Sequence, residues 1–93
     1  MAQELVIAFF TLKATSTTID ADIDAQTNQY KMLLASSVVL EDDKDWVANM
    51  VSTQAKFLYE NITRQPSGYS LDQGSAQLST PKYKVLVVVN VAY

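Results

Sequence analysis

The chain has 93 residues, of which 48% are hydrophobic and 18% are charged, and its formal net charge is −3. This length suits one domain with a single core, and the composition is too apolar for an intrinsically disordered chain. The acidic balance disfavours nucleic-acid binding, which requires clustered lysines and arginines. The absence of cysteine and histidine removes disulfides, thiolate nucleophiles, zinc–thiolate sites and the commonest general base. We therefore expect a non-enzymatic protein without a cofactor.

The first predicted element is an apolar strand over residues 4–15, which are rich in Val, Ile, Phe and Thr. Apolar side chains occupy both parities of this segment, a pattern typical of a strand that is buried on both faces. Glu4 stands where a secretion signal would carry basic residues, and the segment is too short to cross a bilayer. We expect no secretion signal, no membrane partner, and a cytoplasmic or virion location.

The next two segments also suggest strands. Residues 17–25 alternate strictly, with Ile and Ala on one side and Asp on the other, which predicts a half-buried strand. A turn at residues 25–28 would let residues 29–40 return antiparallel, although Tyr30, Leu33 and Leu34 in that segment also fit a helix.

The alternating acids of residues 17–25 are the sharpest candidate for a metal site: Asp20, Asp22 and Asp24. On a strand they would share one face, close enough together for a hard cation such as calcium. The spacing matches the start of an EF-hand loop, but Ala25 stands where that loop requires glycine. We favour a solvated strand face, with a calcium-stabilised module as the alternative.

One long amphipathic helix is predicted over residues 43–64. Its apolar stripe has helical spacing and consists of Val47, Val51, Ala55, Leu58 and Ile62. Asp42 or Asp43 can cap the start of the helix, and Pro66 ends it. The acidic cluster at residues 41–45 suits the positive end of the helix dipole; the alternative is a docking patch for a basic partner.

Every glycine and proline in the chain lies between residues 66 and 81. This predicts a loop over residues 65–81, because both residue types mark sharp turns. A loop longer than about 12–15 residues in a small domain is usually functional or disordered. Tyr69, Leu71 and Leu78 give this loop apolar side chains to bury, which favours an ordered contact arm over residues 67–80.

The last predicted element is a strand over residues 82–93, with one face formed by Tyr83, Val85, Val87, Val89, Val91 and Tyr93. We expect it to pair with the first strand. The elements together predict an α+β domain: an antiparallel sheet of three to four strands with one long amphipathic helix packed on one face.

The predicted function is structural assembly. The chain has 27 Ser, Thr, Asn and Gln residues against 17 charged ones, a mixture similar to that of small virion structural proteins. We expect homo-oligomers or a larger assembly, formed through the C-terminal strand and the 66–81 loop. The expected interface residues are Tyr69, Leu71, Leu78, Tyr83, Val91, Tyr93 and Trp46. The alternative is a small acidic inhibitor or adaptor that binds a basic protein through Asp20, Asp22, Asp24 and the 41–45 cluster.

Overall fold

A computed structural model of the chain describes residues 4–34, 39–64 and 73–92. In chain order the elements are strand β1 (Glu4–Lys13), helix α1 (Ile19–Leu34), a 3-10 turn (Glu41–Asp43), helix α2 (Lys44–Thr63), strand β2 (Gln73–Ser79) and strand β3 (Tyr83–Ala92). The fold is α+β, with a three-stranded mixed sheet and two helices, of which the turn and α2 together span 23 residues.

The C-terminal strand β3 is the centre of the sheet, whose strand order is β1-β3-β2. It pairs with β1 as predicted, with Val6 opposite Val85 and Leu12 opposite Val91. The two strands run parallel, however, while β2 pairs with β3 antiparallel. The expectation of a purely antiparallel sheet is therefore wrong. Both helices lie in the connection from β1 towards the far side of β3, and a crossover of this length permits parallel pairing.

The strand predicted over residues 17–25 is wrong, because residues 19–34 form α1. For residues 29–34 the strand is also wrong, and the helix that Tyr30, Leu33 and Leu34 also fit is confirmed. Ile19 and Ile23 are four residues apart and thus also fit the spacing of a helix. Ile23 is completely buried, whereas Ala21 and Ala25 of the alternating pattern are exposed. Alanine favours a helix, and Asp20 and Asp22 in the first turn suit its dipole.

The predicted loop at residues 65–81 is also partly wrong, because residues 73–79 form the strand β2. Gly74 does not mark a turn. It lies within the strand, where an added Cβ would stand 3.2 Å from Ile62 Cδ1 of α2. Glycine inside a strand often marks such a close approach, and here it lets α2 lie against β2.

The core lies between α2 and one face of the sheet. The predicted stripe of α2 is buried as expected, with Val47, Val51 and Ala55 at its centre. The predicted face of β3 meets it through a row of buried valines. The Cα extents are 45 × 24 × 15 Å, and the short dimension leaves room for one sheet and one layer of helices.

Strand β1 buries only one of its two faces, so the prediction of a strand buried on both faces is wrong. Val6, Ala8, Phe10 and Leu12 belong to the core, while the intervening residues are exposed. The physical reason is that both helices contribute to a single core on one side of the sheet. The opposite side of the sheet is left uncovered by the described residues.

Candidate functional site

The uncovered side of the sheet carries an apolar patch, which we call the open face. Leu5, Ile7 and Phe9 of β1 expose 57%, 44% and 60% of their surface there. Leu86 and Val88 on the neighbouring strand β3 lie opposite Ile7 and Phe9 in the register and are half-buried. Five large aliphatic or aromatic side chains thus form one continuous surface on two adjacent strands.

Polar residues border the open face on three sides. Lys84 lies beside Leu5 at one end of the strands, and the Thr11–Asn90 pair lies at the other end. On β2 the same side of the sheet carries Gln73, Ser75, Gln77 and Ser79. An apolar centre with a polar border is the usual composition of a protein interaction surface.

Helix α1 binds the outer edge of β1. Tyr30 Oη accepts a hydrogen bond from the Phe9 backbone N–H at 2.6 Å. The Gln26 side chain accepts from the Thr11 N–H at 3.2 Å and donates to the Thr11 carbonyl at 3.0 Å. Exposed backbone groups at a sheet edge invite pairing with other strands. The helix therefore blocks this edge at Phe9 and Thr11.

A polar cluster lies at the start of β3, around the buried carboxylate of Asp43. Tyr83 Oη donates to it at 2.7 Å, Trp46 Nε1 at 3.0 Å and Lys82 Nζ at 3.4 Å. Tyr83 Oη in turn accepts from the Leu40 N–H at 3.0 Å. The cluster joins the 3-10 turn, α2 and β3, and thus fixes where α2 begins over the sheet.

These contacts shift two ionisation equilibria in opposite directions. The hydrogen bond from Tyr83, followed by that from Trp46, holds the pKa of Asp43 below its usual value. Desolvation by burial, with a smaller effect of the Asp43 charge, raises the pKa of Tyr83. Asp43 is thus a stably ionised acceptor and Tyr83 a neutral donor, which suits a structural role.

The candidate metal site at Asp20, Asp22 and Asp24 does not form. On a helix, Asp20 and Asp24 lie one turn apart and face Lys56 Nζ, at 3.9 and 3.6 Å. Asp22 points elsewhere and accepts a hydrogen bond from Ser16 Oγ at 2.7 Å. Within residues 4–34, 39–64 and 73–92, no group of three acidic side chains is placed to hold a metal ion.

The 41–45 cluster lies at the start of the long helix, but the prediction that Asp43 caps it is wrong, because Asp43 makes no side-chain cap hydrogen bond. Glu41 pairs with Lys44, and Asp43 with Lys82. Internal partners thus neutralise part of the cluster. That reduces the charge which a basic protein could bind.

The expected interface residues are dispersed. Tyr83 and Val91 are 2% and 1% exposed in the chain's own core, so they are not available to another subunit in this fold. Leu78 packs against the core from β2, and Trp46 is exposed but packs its ring against Tyr83. Tyr69, Leu71 and Tyr93 lie outside the described residues.

Sequence reasoning missed Leu5, Ile7 and Phe9 as candidate interface residues, although their alternation is visible in the sequence. The signal that could have identified them is the number of layers in the predicted fold, namely one sheet and one helix. A single helix covers one face of a sheet, so a strand with apolar residues on both faces must leave one face exposed in the monomer.

Comparisons with models of protein families, with characterised proteins and with solved structures found no match for this chain. Neither helix in the described part of the chain has both the length and the apolarity needed to cross a membrane. The functional argument therefore rests on the surfaces of the fold.

Tyr30→Phe should destabilise the protein by about 1 kcal/mol, since it removes the hydrogen bond to β1 but keeps the ring against Phe10. Gln26→Ala should cost at least as much, because Gln26 bonds both backbone groups of Thr11. Urea unfolding measures both effects, with Gln29→Ala on the exposed surface of α1 as the control. Equal stabilities of all variants would contradict the edge-blocking role of α1.

Asp43→Asn should lower the free energy of unfolding at neutral pH. A native pKa below the unfolded value of about 4 means that the carboxylate stabilises the fold above pH 4. That stabilisation is lost as the pH falls through the lower native pKa. Urea unfolding from pH 2 to 7 should therefore show the wild type approaching Asp43→Asn in acid. The matched control is Asp42→Asn, an exposed neighbour, and a similar pH profile for both variants would refute this role.

Proposed function

We propose that this protein is a non-enzymatic structural protein that associates with copies of itself through the open face. The observation that carries the proposal is the row of Leu5, Ile7 and Phe9, exposed next to Leu86 and Val88. Burial of one such side chain is worth about 1.5–3 kcal/mol. Association that buries several of these apolar side chains would therefore be favourable, because each of them is exposed to water in the monomer.

The size of the open face fits a dimer contact. Strands β1 and β3 have ten residues each, so the sheet is about 33 Å long, and three strands at about 4.8 Å spacing give a width of about 14 Å. The flat area is then about 450 Å² per copy, or about 900 Å² for two copies. The accessible surface is larger than this flat area because side chains protrude from the sheet. The buried surface thus approaches the roughly 1,000–1,200 Å² at which specific interfaces begin.

The open face is also complementary to itself. Consider a two-fold axis that crosses the strands at the Ile7–Leu86 row. It places Ile7 against its own counterpart and Leu5 against Phe9 of the second copy, with β2 of one copy over β2 of the other. On β1 apolar residues then meet apolar ones, and on β2 polar residues meet polar ones. On β3, Leu86 meets its own counterpart and Lys84 lies over Val88 of the second copy, where its aliphatic stem can cover the valine while its ammonium group stays at the border of the contact. Two sheets packed in this way would form a sandwich with helices on both outer sides.

The proposed interface differs from the one that the sequence predicts. The central position of β3 leaves only its open side, with Leu86 and Val88, available for contact. A location in the cytoplasm or in a virion remains part of the proposal. The acidic-adaptor hypothesis has less support, because Lys56 pairs with Asp20 and Asp24 and because Asp43 is buried.

Phe9→Gln tests the proposal. It should raise the dimer dissociation constant by more than about tenfold, because a symmetric dimer loses the ring twice and each 1.4 kcal/mol changes the constant tenfold. Light scattering during size-exclusion chromatography, over a range of concentrations, measures the association. Phe57→Gln is the matched control, since Phe57 is 57% exposed on α2, away from the sheet.

Circular dichroism should show the same fold for the wild type and both variants. A wild type that stays monomeric at high concentration would contradict the proposal. Co-sedimentation of that monomer with lipid vesicles would instead assign the open face to a membrane surface.

A further inference from the structure

The two edges of the sheet differ in how they are protected. Helix α1 occupies the edge of β1 through Tyr30 and Gln26. On the other side of the sheet, β2 is the last strand. No strand or side chain within residues 4–34, 39–64 and 73–92 binds its outer edge. The β2 edge is therefore the place where another strand can add.

The backbone groups that face outwards from β2 follow from its pairing. The Thr80 N–H bonds to the Tyr83 carbonyl at 2.8 Å, so Thr80 and every second residue before it direct their backbone groups towards β3. The alternate residues direct theirs outwards: Gln73, Ser75, Gln77 and Ser79. Four N–H and four C=O groups thus point away from the sheet.

The sequence of β2 contains none of the usual protection against edge pairing. It reads Gln-Gly-Ser-Ala-Gln-Leu-Ser, without a charged residue or a proline. Exposed edges are normally blocked by charges, prolines, bulges or a covering element. The same molecule covers its β1 edge at Phe9 and Thr11, so the β2 edge, which no described residue covers, stands out as a pairing surface.

We propose that the β2 edge pairs antiparallel with the β2 edge of a second copy of this chain, around a two-fold axis at Ala76. This surface is separate from the open face and goes beyond the proposed function. The register uses the whole strand, with Ser75 opposite Gln77 and Gln73 opposite Ser79 of the second copy. All the outward-facing residues then form hydrogen-bonded pairs, which give up to about eight hydrogen bonds.

Side-chain sizes agree with this register. On the core side, Gly74 lies opposite Leu78 of the second copy, and Ala76 lies opposite its own counterpart. Each large side chain thus faces a small one. On the open side, only neutral serine and glutamine side chains meet, so no like charges oppose each other. The result is a continuous six-stranded sheet.

Pairing at the β2 edge would extend the assembly beyond a dimer. Each copy would have two self-complementary surfaces, the open face and the β2 edge, at an angle to one another. Two such two-fold contacts per copy produce assemblies larger than a dimer. The average mass of the wild type should then exceed twice the monomer mass and rise with concentration.

Ser75→Pro tests the pairing. Proline removes the outward N–H of Ser75 but no hydrogen bond to β3, and an edge strand tolerates proline at such a position. We expect Ser75→Pro to stop at a dimer formed by the open face, and Phe9→Gln to stop at a dimer formed by the β2 edge. The double variant should be a monomer. Ser75→Thr, which keeps the N–H, should assemble like the wild type.

The outcomes separate the two surfaces. If Ser75→Pro assembles like the wild type, edge pairing is wrong while the open face is unaffected. If only Ser75→Pro reduces the mass, the edge stands and the open-face proposal fails. Hydrogen exchange provides a check that does not depend on a variant: the Ser75 and Gln77 amides of the wild type should be protected at high concentration and exposed on dilution. Rapid exchange at both concentrations would overturn the pairing.

Discussion

The packing of the valine row of β3 under α2 is the interaction on which the rest of the structure depends. Val85, Val87 and Val89 are completely buried against the apolar stripe of α2. Because side chains alternate along a strand, this contact determines which face of β3 points away from the core. Because β3 is central, its register then fixes the facing of β1 on one side and of β2 on the other.

A core on one side of the sheet has two consequences for function. The second face of β1 and β3 carries apolar residues that no described part of the same chain covers, and the sheet ends at two edges. Helix α1 covers one edge while it also packs Tyr30 against Phe10. The apolar face and the β2 edge, which no described residue covers, are the features that support the self-association we propose.

The sequence predicted the elements whose pattern is long and unambiguous. The stripe of α2 and the valine alternation of β3 satisfy only one periodicity, and both predictions are confirmed. Residues 19–25 satisfy two periodicities, since the spacing of Ile19 and Ile23 fits both a strand and a helix. The contacts of α1 with β1 decide between these two conformations. Strand β2 has few residues that favour strands, so its conformation comes from pairing with β3 and from Gly74 beneath Ile62.

The open face was not predictable from β1 alone, because apolar residues on both parities fit a buried strand and an interface equally well. Only the number of layers in the folded chain separates the two.

The most direct test of self-association uses the absence of cysteine from the chain. Ile7→Cys and Thr53→Cys each introduce a single thiol, at the centre of the open face and on the exposed side of α2. A short bifunctional thiol reagent should join two copies of Ile7→Cys, since packed sheets lie about 10 Å apart, and should leave Thr53→Cys without cross-links. Equal cross-linking of both variants, or of neither, would contradict self-association through the open face.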